Sequence, residues 1–135
     1  MISAEDSARI TQSLEIAAER GGDLTAAVYA RLFRDGPDLE PLFVMDTDGA
    51  VRGEMLSRVF DAILDFIGDR AYAHNLIHAE ATTHDGYNVP RETFALFFTT
   101  VADTVREACG EDWNADTETA WRRMLEELGG YIAAA

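Results

Sequence analysis

Apolar residues recur along most of this chain every three or four positions, the spacing of a helix that buries one face. The stripe of the first predicted helix consists of Ile10, Leu14 and Ala17. Ser3 together with Asp6 can cap the start of this helix, and Gly21 with Gly22 can end it. The chain is therefore predicted to open with an amphipathic helix.

A second helix and a short helical turn are expected next. The inward-facing positions of the second helix are Leu24, Val28 and Leu32, with Ala27 and Tyr29 as further candidates. Gly36 and Pro37 are expected to end this helix. A turn of helix is predicted over Pro37–Phe43, and a loop over residues 44–49.

The middle of the chain carries the clearest helical pattern. Its apolar positions are Val51, Met55, Val59, Ala62, Ile63, Phe66 and Ile67. Gly68 with Asp69 is expected to end this helix. A weaker helix is predicted over residues 71–83, and a turn over residues 85–88 follows it.

Two further helices complete the pattern. Asn88 is predicted to cap the first of them, with Pro90 in its first turn. Its stripe consists of Phe94, Phe97, Phe98, Val101 and Val105. After a loop over residues 110–114, the last helix carries Trp121, Met124, Leu125, Leu128 and Ile132. Because no segment alternates with a period of two, the predicted fold class is all-α.

Composition restricts the range of partners. The 135 residues are predicted to form one domain, and an apolar fraction of 47% permits a core that encloses a small cofactor. The net charge is −14, and all 11 basic residues are arginine. Because a surface this acidic repels nucleic acid and anionic lipid, we expect neither as a partner.

Several absences favour a cytoplasmic protein. Cys109 is the single cysteine of the sequence, so an intrachain disulfide cannot form. The first nine residues lack the basic and apolar runs of a signal peptide. The apolar stretches are too short for a membrane-spanning helix.

The three histidines differ in what they can do. His74 and His78 lie four residues apart and share a helix face, a spacing that can bind a metal, but no third-ligand pattern accompanies them, and a solvent-facing role is favoured. His84 stands at the end of its helix. An imidazole there can offer its far nitrogen to a metal while its near N–H bonds a carbonyl one turn earlier. A lone histidine at a helix end is more often a surface or capping residue.

Four segments resemble bacterial single-domain haemoglobins and the globin domain of flavohaemoglobins. Residues 84–89, His-Asp-Gly-Tyr-Asn-Val, followed by Phe94, resemble the pattern His-x-x-Tyr-Gly-Val that contains the haem-ligating histidine, with an aromatic residue ten positions after it. Residues 28–33 resemble the second globin helix, and residues 38–43 the short helix that ends in a phenylalanine. Ala120 with Trp121 resembles the start of the last helix. The landmarks occur in globin order over almost the whole chain.

The resemblance implies a globin fold, with about six to eight helices around a pocket for haem b, and His84 as the iron ligand. It implies that Tyr29 donates its O–H to a ligand on the distal side and that Phe43 packs on the porphyrin. The residues implied to contact haem on the proximal side are Tyr87, Val89, Phe94 and Phe98. Each aromatic residue among these also fits an ordinary core role.

The distal position that faces the ligand depends on the length of the loop after Phe43. One extra residue in that loop assigns the position to Val51, and otherwise it falls on Arg52 or Gly53. The helical stripe favours Val51 and puts Met55 one turn further along, also over the haem. Members of the family usually carry glutamine or histidine here, so Val51 would leave Tyr29 as the only distal donor.

Two departures from the family pattern affect the expected activity. Phe94 stands where flavohaemoglobin-type domains have a tyrosine, and the sequence ends at Ala135, near where their glutamate falls. Without that relay, peroxidase-like activation and efficient NO dioxygenation are not expected. Glu80 replaces the usual leucine one turn before His84, and its carboxylate is expected either to face solvent or to bond His84.

The favoured function is a haemoglobin that reversibly binds a diatomic gas (O2, NO or CO). Any turnover would need an external reductase, because the globin uses all 135 residues. Two alternatives stay open: a globin-fold sensor or interaction module without haem, and a haem-dependent enzyme that detoxifies NO or peroxide. The missing relay makes enzymatic activity the less favoured interpretation.

Overall fold

Helices form most of the backbone in a computed structural model, which describes residues 2–135. The α-helices are α1 (Ala4–Gly21), α2 (Thr25–Asp35), α3 (Ala50–Ile67), α4 (Ala73–Gly86), α5 (Arg91–Cys109) and α6 (Ala115–Ala134). Short 3-10 helices cover Pro37–Phe43 and Gly110–Asp112. No β-strand occurs in this part of the chain, so the all-α prediction is confirmed. None of these helices is both long enough and apolar enough to cross a membrane.

The α4–α5 junction differs from the sequence prediction. Asn88 was expected to cap α5, but its backbone is left-handed, with φ of 62°, and it belongs to the end of α4. The N–H of Val89 donates to the carbonyl of His84 (3.0 Å), which closes the last turn of α4 around Asn88. Asparagine adopts this conformation more readily than most residues. Pro90 takes the cap position of α5 instead, and α4 extends to Gly86, so His84 lies inside its last turn.

One half of the molecule is closed by the packing of α1 against α5 and α6. At its centre, the Trp121 indole N–H donates to the hydroxyl of Ser13 (2.9 Å), which in turn donates to the carbonyl of Ile10 (2.6 Å). The thiol of Cys109 donates to the carbonyl of Ser13 (3.3 Å). Every polar group of this cluster is thereby hydrogen-bonded, as burial requires.

Two carboxylates fix the starts of α3 and α4, that of Asp46 from the loop before α3 and that of Asp65 from the last turn of α3. Asp46 is buried and accepts the backbone N–H groups of Val51 (3.1 Å) and Arg52 (3.0 Å). Asp65 accepts three backbone N–H groups at the start of α4, from residues 71 to 73. Burial alone would raise the pKa of Asp65, but these three donors outweigh it and hold the pKa below its ordinary value. The two helices are therefore anchored by charge-assisted hydrogen bonds at their first turns.

Candidate functional site

An apolar slot lies among α2, α3, α4 and α5. It consists of two lobes, with cavity volumes of about 40 Å³ and about 70 Å³. Both lobes are bordered by Met55, His84, Phe94 and Phe97. These shared walls make the lobes two ends of one site, and His84 stands between them.

The imidazole of His84 is held by its own helix. Its Nδ1 lies 2.6 Å from the carbonyl oxygen of Glu80, one turn earlier. Because a carbonyl oxygen only accepts, this bond requires the proton on Nδ1, and in the neutral ring Nε2 then carries a free lone pair. Nε2 has no hydrogen-bond partner within residues 2–135. The hydrogen bond expected from the sequence is present.

The ring of His84 is also held from the side. It packs against Phe94, with ring centroids 4.8 Å apart and planes inclined by 55°. Phe94 in turn packs edge-on against Phe98 at 5.9 Å. Phe94, the first residue of the apolar stripe of α5, therefore contacts the histidine ring directly, and within residues 2–135 the Nδ1 contact is the Glu80 carbonyl and not a carboxylate.

Glu80 adopts neither of the two roles expected for it. Its carboxylate accepts from Nη1 of Arg58 on α3 (2.8 Å), and only its main-chain oxygen contacts His84. The other terminal nitrogen of Arg58 donates to Glu54, one turn earlier on α3 (2.8 Å). Both carboxylates raise the pKa of Arg58. Arg58 and Glu80 border the first lobe, so their ion pair crosses the edge of the slot from α3 to α4.

Tyr29 and Phe43 belong to an aromatic cluster that walls the second lobe. Tyr29 is almost fully buried, and its ring centroid lies 5.4 Å from those of both Phe43 and Phe97. Its hydroxyl donates to the carbonyl of Arg52 (3.2 Å). Burial raises the pKa of Tyr29, so its phenol is neutral and remains a donor at physiological pH.

The structure places Val51, the distal residue predicted from the helical stripe of α3, outside the slot. Val51 is 53% exposed and borders neither lobe, and Arg52 and Gly53, the other two positions considered, border neither lobe as well. Val51 lies in the first turn, where Asp46 binds its N–H from the loop side. Met55, one turn later, is the first side chain of α3 to reach the slot.

Of the four residues predicted to contact haem on the proximal side, three border the slot. Val89 borders the second lobe, Phe98 the first, and Phe94 both. Tyr87, expected to contact the cofactor, is instead 74% exposed and outside the lining. The chain reverses direction just after His84, and Tyr87 lies on the outer side of that turn as the C-cap of α4.

His74 and His78 do not reach the slot. Both are exposed on α4, and the ring of His74 packs against Tyr131 at 5.0 Å. Among residues 2–135 no group of three or more potential ligands (His, Cys, Asp or Glu) is placed to hold a metal ion. The solvent-facing interpretation of this pair agrees with their exposure.

Two residues of the slot were not singled out from the sequence. Phe97 was assigned only to the core, yet it borders both lobes and packs on Tyr29. Arg58 is not among the candidate residues of the sequence analysis. Its position next to Val59, an apolar residue of the stripe, is the available signal that it lies at the boundary of the apolar face of α3.

Comparison with known families adds an independent observation. The family model described as Globin matches residues 26–132 of the chain. The matched segment begins in α2 and ends in α6, so it includes every residue that borders the two lobes.

Proposed function

This chain belongs to the globin family, and on that premise we propose that it binds haem b through His84 and reversibly binds a diatomic gas. Globins normally bind haem, which supports the cofactor in general. The observation that carries the assignment of the residue is the 2.6 Å bond from His84 Nδ1 to the Glu80 carbonyl. It orients the imidazole and leaves Nε2 as the nitrogen available to iron.

The residues of the slot fit haem. A haem site needs one strong axial ligand, apolar walls and a tuned open side. His84 would supply the ligand, and the walls would be Phe43, Met55, Val89, Phe94 and Phe98. When bound, haem would supply an iron atom with a coordination position open to a small gas. The protein's part is to orient His84 and to keep water out of the space opposite it.

Tyr29 would tune the open side. Its bond to the Arg52 carbonyl is 3.2 Å long, whereas O–H···O bonds are usually about 2.7–2.8 Å. So long a bond is weak, and the phenol proton is free to turn towards a partner that carries negative charge. A bound oxygen molecule would be such a partner, and carbon monoxide a poorer one.

The surroundings of His84 favour gas binding over peroxide or NO chemistry. Its Nδ1 donates to a neutral carbonyl, and its ring packs on the hydrocarbon ring of Phe94. A neutral acceptor transfers less electron density to the ligand than a carboxylate would. We therefore propose a gas-binding cytoplasmic protein that would require an external reductase for any redox turnover.

One observation favours a second candidate, a globin-fold interaction module without haem. The Arg58–Glu80 ion pair links α3 to α4 across the slot, and the two lobes are narrow, so a porphyrin could lie between these helices only after they move apart. A protein that keeps this pair closed would use the fold without the cofactor.

The visible spectrum of the purified protein separates the two candidates. The proposed function predicts a Soret band at one haem per chain, after expression or after addition of haemin to the apoprotein. The reduced protein should then shift its spectrum reversibly with oxygen and with carbon monoxide. Failure to form a Soret band with added haemin would reject haem binding and leave the interaction module.

A further inference from the structure

We infer that Arg58 and Glu80 form an ionic latch at the edge of the first lobe between α3 and α4, which we call the mouth of the slot. When haem binds, one of its carboxylates replaces Glu80 on Arg58. This inference rests on the proposed function. It assigns a role to a pair that the ligand chemistry of His84 does not use, since the Glu80 carboxylate contacts Arg58 alone among the described residues.

The position of the pair supports a latch. Arg58 belongs to α3 and Glu80 to α4, 22 residues apart, and their side chains meet at 2.8 Å at the edge of the first lobe. Within residues 2–135, Arg58 and Glu80 are the arginine and the carboxylate that border the two apolar lobes, and no other arginine, aspartate or glutamate borders them. A flat molecule that enters between α3 and α4 at this edge must part them.

The chemistry of the pair supports an exchange of partners. Haem carries two carboxylates, and the apolar walls of the slot would favour an orientation that leaves them at the mouth, in water. Arg58 would meet a carboxylate there with the nitrogen that Glu80 now uses, while Glu54 keeps the other terminal nitrogen in place. One carboxylate replaces another, so the guanidinium keeps a charge-assisted bond throughout.

The charge of the protein increases the need for such a cation. With a net charge of −14, the surface opposes the approach of a dicarboxylate. While the latch is closed, the two carboxylates of Glu54 and Glu80 more than offset the single positive charge of Arg58. Once Glu80 leaves, Arg58 becomes available to the incoming carboxylate.

The latch is also connected to the residue that orients the ligand histidine. Glu80 offers its side chain to Arg58 and its main-chain oxygen to His84. The same residue therefore ties α4 to α3 and directs the imidazole. The ion pair that closes the mouth and the hydrogen bond that orients His84 therefore both depend on the same turn of α4.

Haemin association with the apoprotein, followed by stopped-flow absorbance, tests the latch. Glu80→Gln removes the charge that closes the mouth, and Glu54→Gln is the matched control, because it removes the same charge from the same arginine without crossing the slot. Exposed ion pairs of this kind predict an association about two- to fivefold faster in Glu80→Gln, with Glu54→Gln close to wild type. Equal rates in the two variants would overturn the latch.

Haem loss to excess apomyoglobin tests the carboxylate exchange. Arg58→Gln should lose haemin about three- to tenfold faster than wild type, since a charge-assisted bond is removed. Haemin dimethyl ester, whose carboxylates are blocked, should leave both proteins at the same rate. A similar acceleration for the ester would overturn the role of Arg58. A wild-type protein that forms no Soret band would instead overturn the proposed function, and this inference with it.

Discussion

The two walls of the slot are built in different ways. On the proximal wall, His84 is oriented by a carbonyl of its own helix, four residues away. On the distal wall, Tyr29 on α2 reaches a carbonyl of α3, 23 residues away. The first contact is an internal property of α4, and the second exists only because two helices pack together. A contact within one helix thus positions His84, and a contact between two helices positions Tyr29.

The walls also differ in charge. The groups in direct contact with the His84 ring are neutral: the Glu80 carbonyl and the Phe94 ring. Behind Tyr29 lies a charged network, in which Arg52 Nε donates to the carboxylate of Asp46 (3.0 Å) and Arg52 Nη2 to its carbonyl (2.8 Å). This network fixes the carbonyl that Tyr29 uses. Substitutions in other helices are therefore expected to leave the orientation of His84 unchanged, whereas the position of the carbonyl that Tyr29 contacts depends on Asp46.

The largest expected effect is on the proximal wall. His84→Ala should abolish stoichiometric haem binding, because it removes the proposed axial ligand of the iron. The Soret absorbance per chain after addition of haemin measures this. His84→Gly with added imidazole should recover the band, which separates loss of the ligand from loss of the fold.

His74→Ala and His78→Ala are the controls for that experiment. Both residues are exposed and lie outside the slot, so the Soret band should be retained. Loss of the band in His78→Ala together with its retention in His84→Ala would contradict the proposed register of α4.

The next largest effect is on the distal wall. Tyr29→Phe should speed oxygen dissociation by roughly 10- to 100-fold, since a bond to a charged partner contributes about 1.5–3 kcal/mol and 1.4 kcal/mol is a factor of ten. Carbon monoxide accepts hydrogen bonds poorly, so its dissociation should change much less. Equal and small changes for both gases would mean that the Tyr29 hydroxyl stays on the Arg52 carbonyl.

A smaller effect is expected from the charged network behind Tyr29. Burial would raise the pKa of Asp46, but the N–H groups of Arg52 and Val51 and the Arg52 guanidinium outweigh it and hold the pKa below its ordinary value of 3.8. Asp46 therefore stabilises the fold at neutral pH, and this contribution is lost as the pH falls below about 3.8.

Thermal unfolding followed by circular dichroism measures that contribution. Asp46→Asn should lower the Tm at pH 7 by a few degrees, and its difference from wild type should shrink as the pH is lowered towards 3. Asp48→Asn is the control, because Asp48 is exposed and accepts a single backbone N–H, that of Ala50. A difference that stays constant over this pH range would show that the ionised carboxylate is not responsible.

The smallest effect distinguishes two positions on α3. Val51 lies outside the slot and Met55 borders both lobes. Val51→Ala should change oxygen dissociation by less than about twofold, as for a surface substitution, and Met55→Ala should change it more. A larger effect at Val51 than at Met55 would restore Val51 to the distal position.

Sequence reasoning succeeded where neighbours along the chain decide the outcome. The helical stripes predicted the helices closely, and Ser3 caps α1 by accepting the N–H of Asp6 (3.1 Å), as expected. The bond from His84 to a carbonyl one turn earlier was also expected, since it needs only an imidazole near the end of a helix. It failed at Asn88, where a capping residue can serve either of two adjoining helices, and only the backbone conformation decides between them.

What the sequence determined by itself is the set of contacts that lie within one or two helical turns: the helices, their apolar stripes and the orientation of His84. Only the tertiary structure decided that Glu80 pairs with Arg58, that Met55 and not Val51 reaches the slot, and that Tyr87 lies outside it. The physical reason is that helical periodicity specifies a face to within about a third of the circumference. Which residue at the edge of that face meets a neighbouring helix depends on how the helices pack.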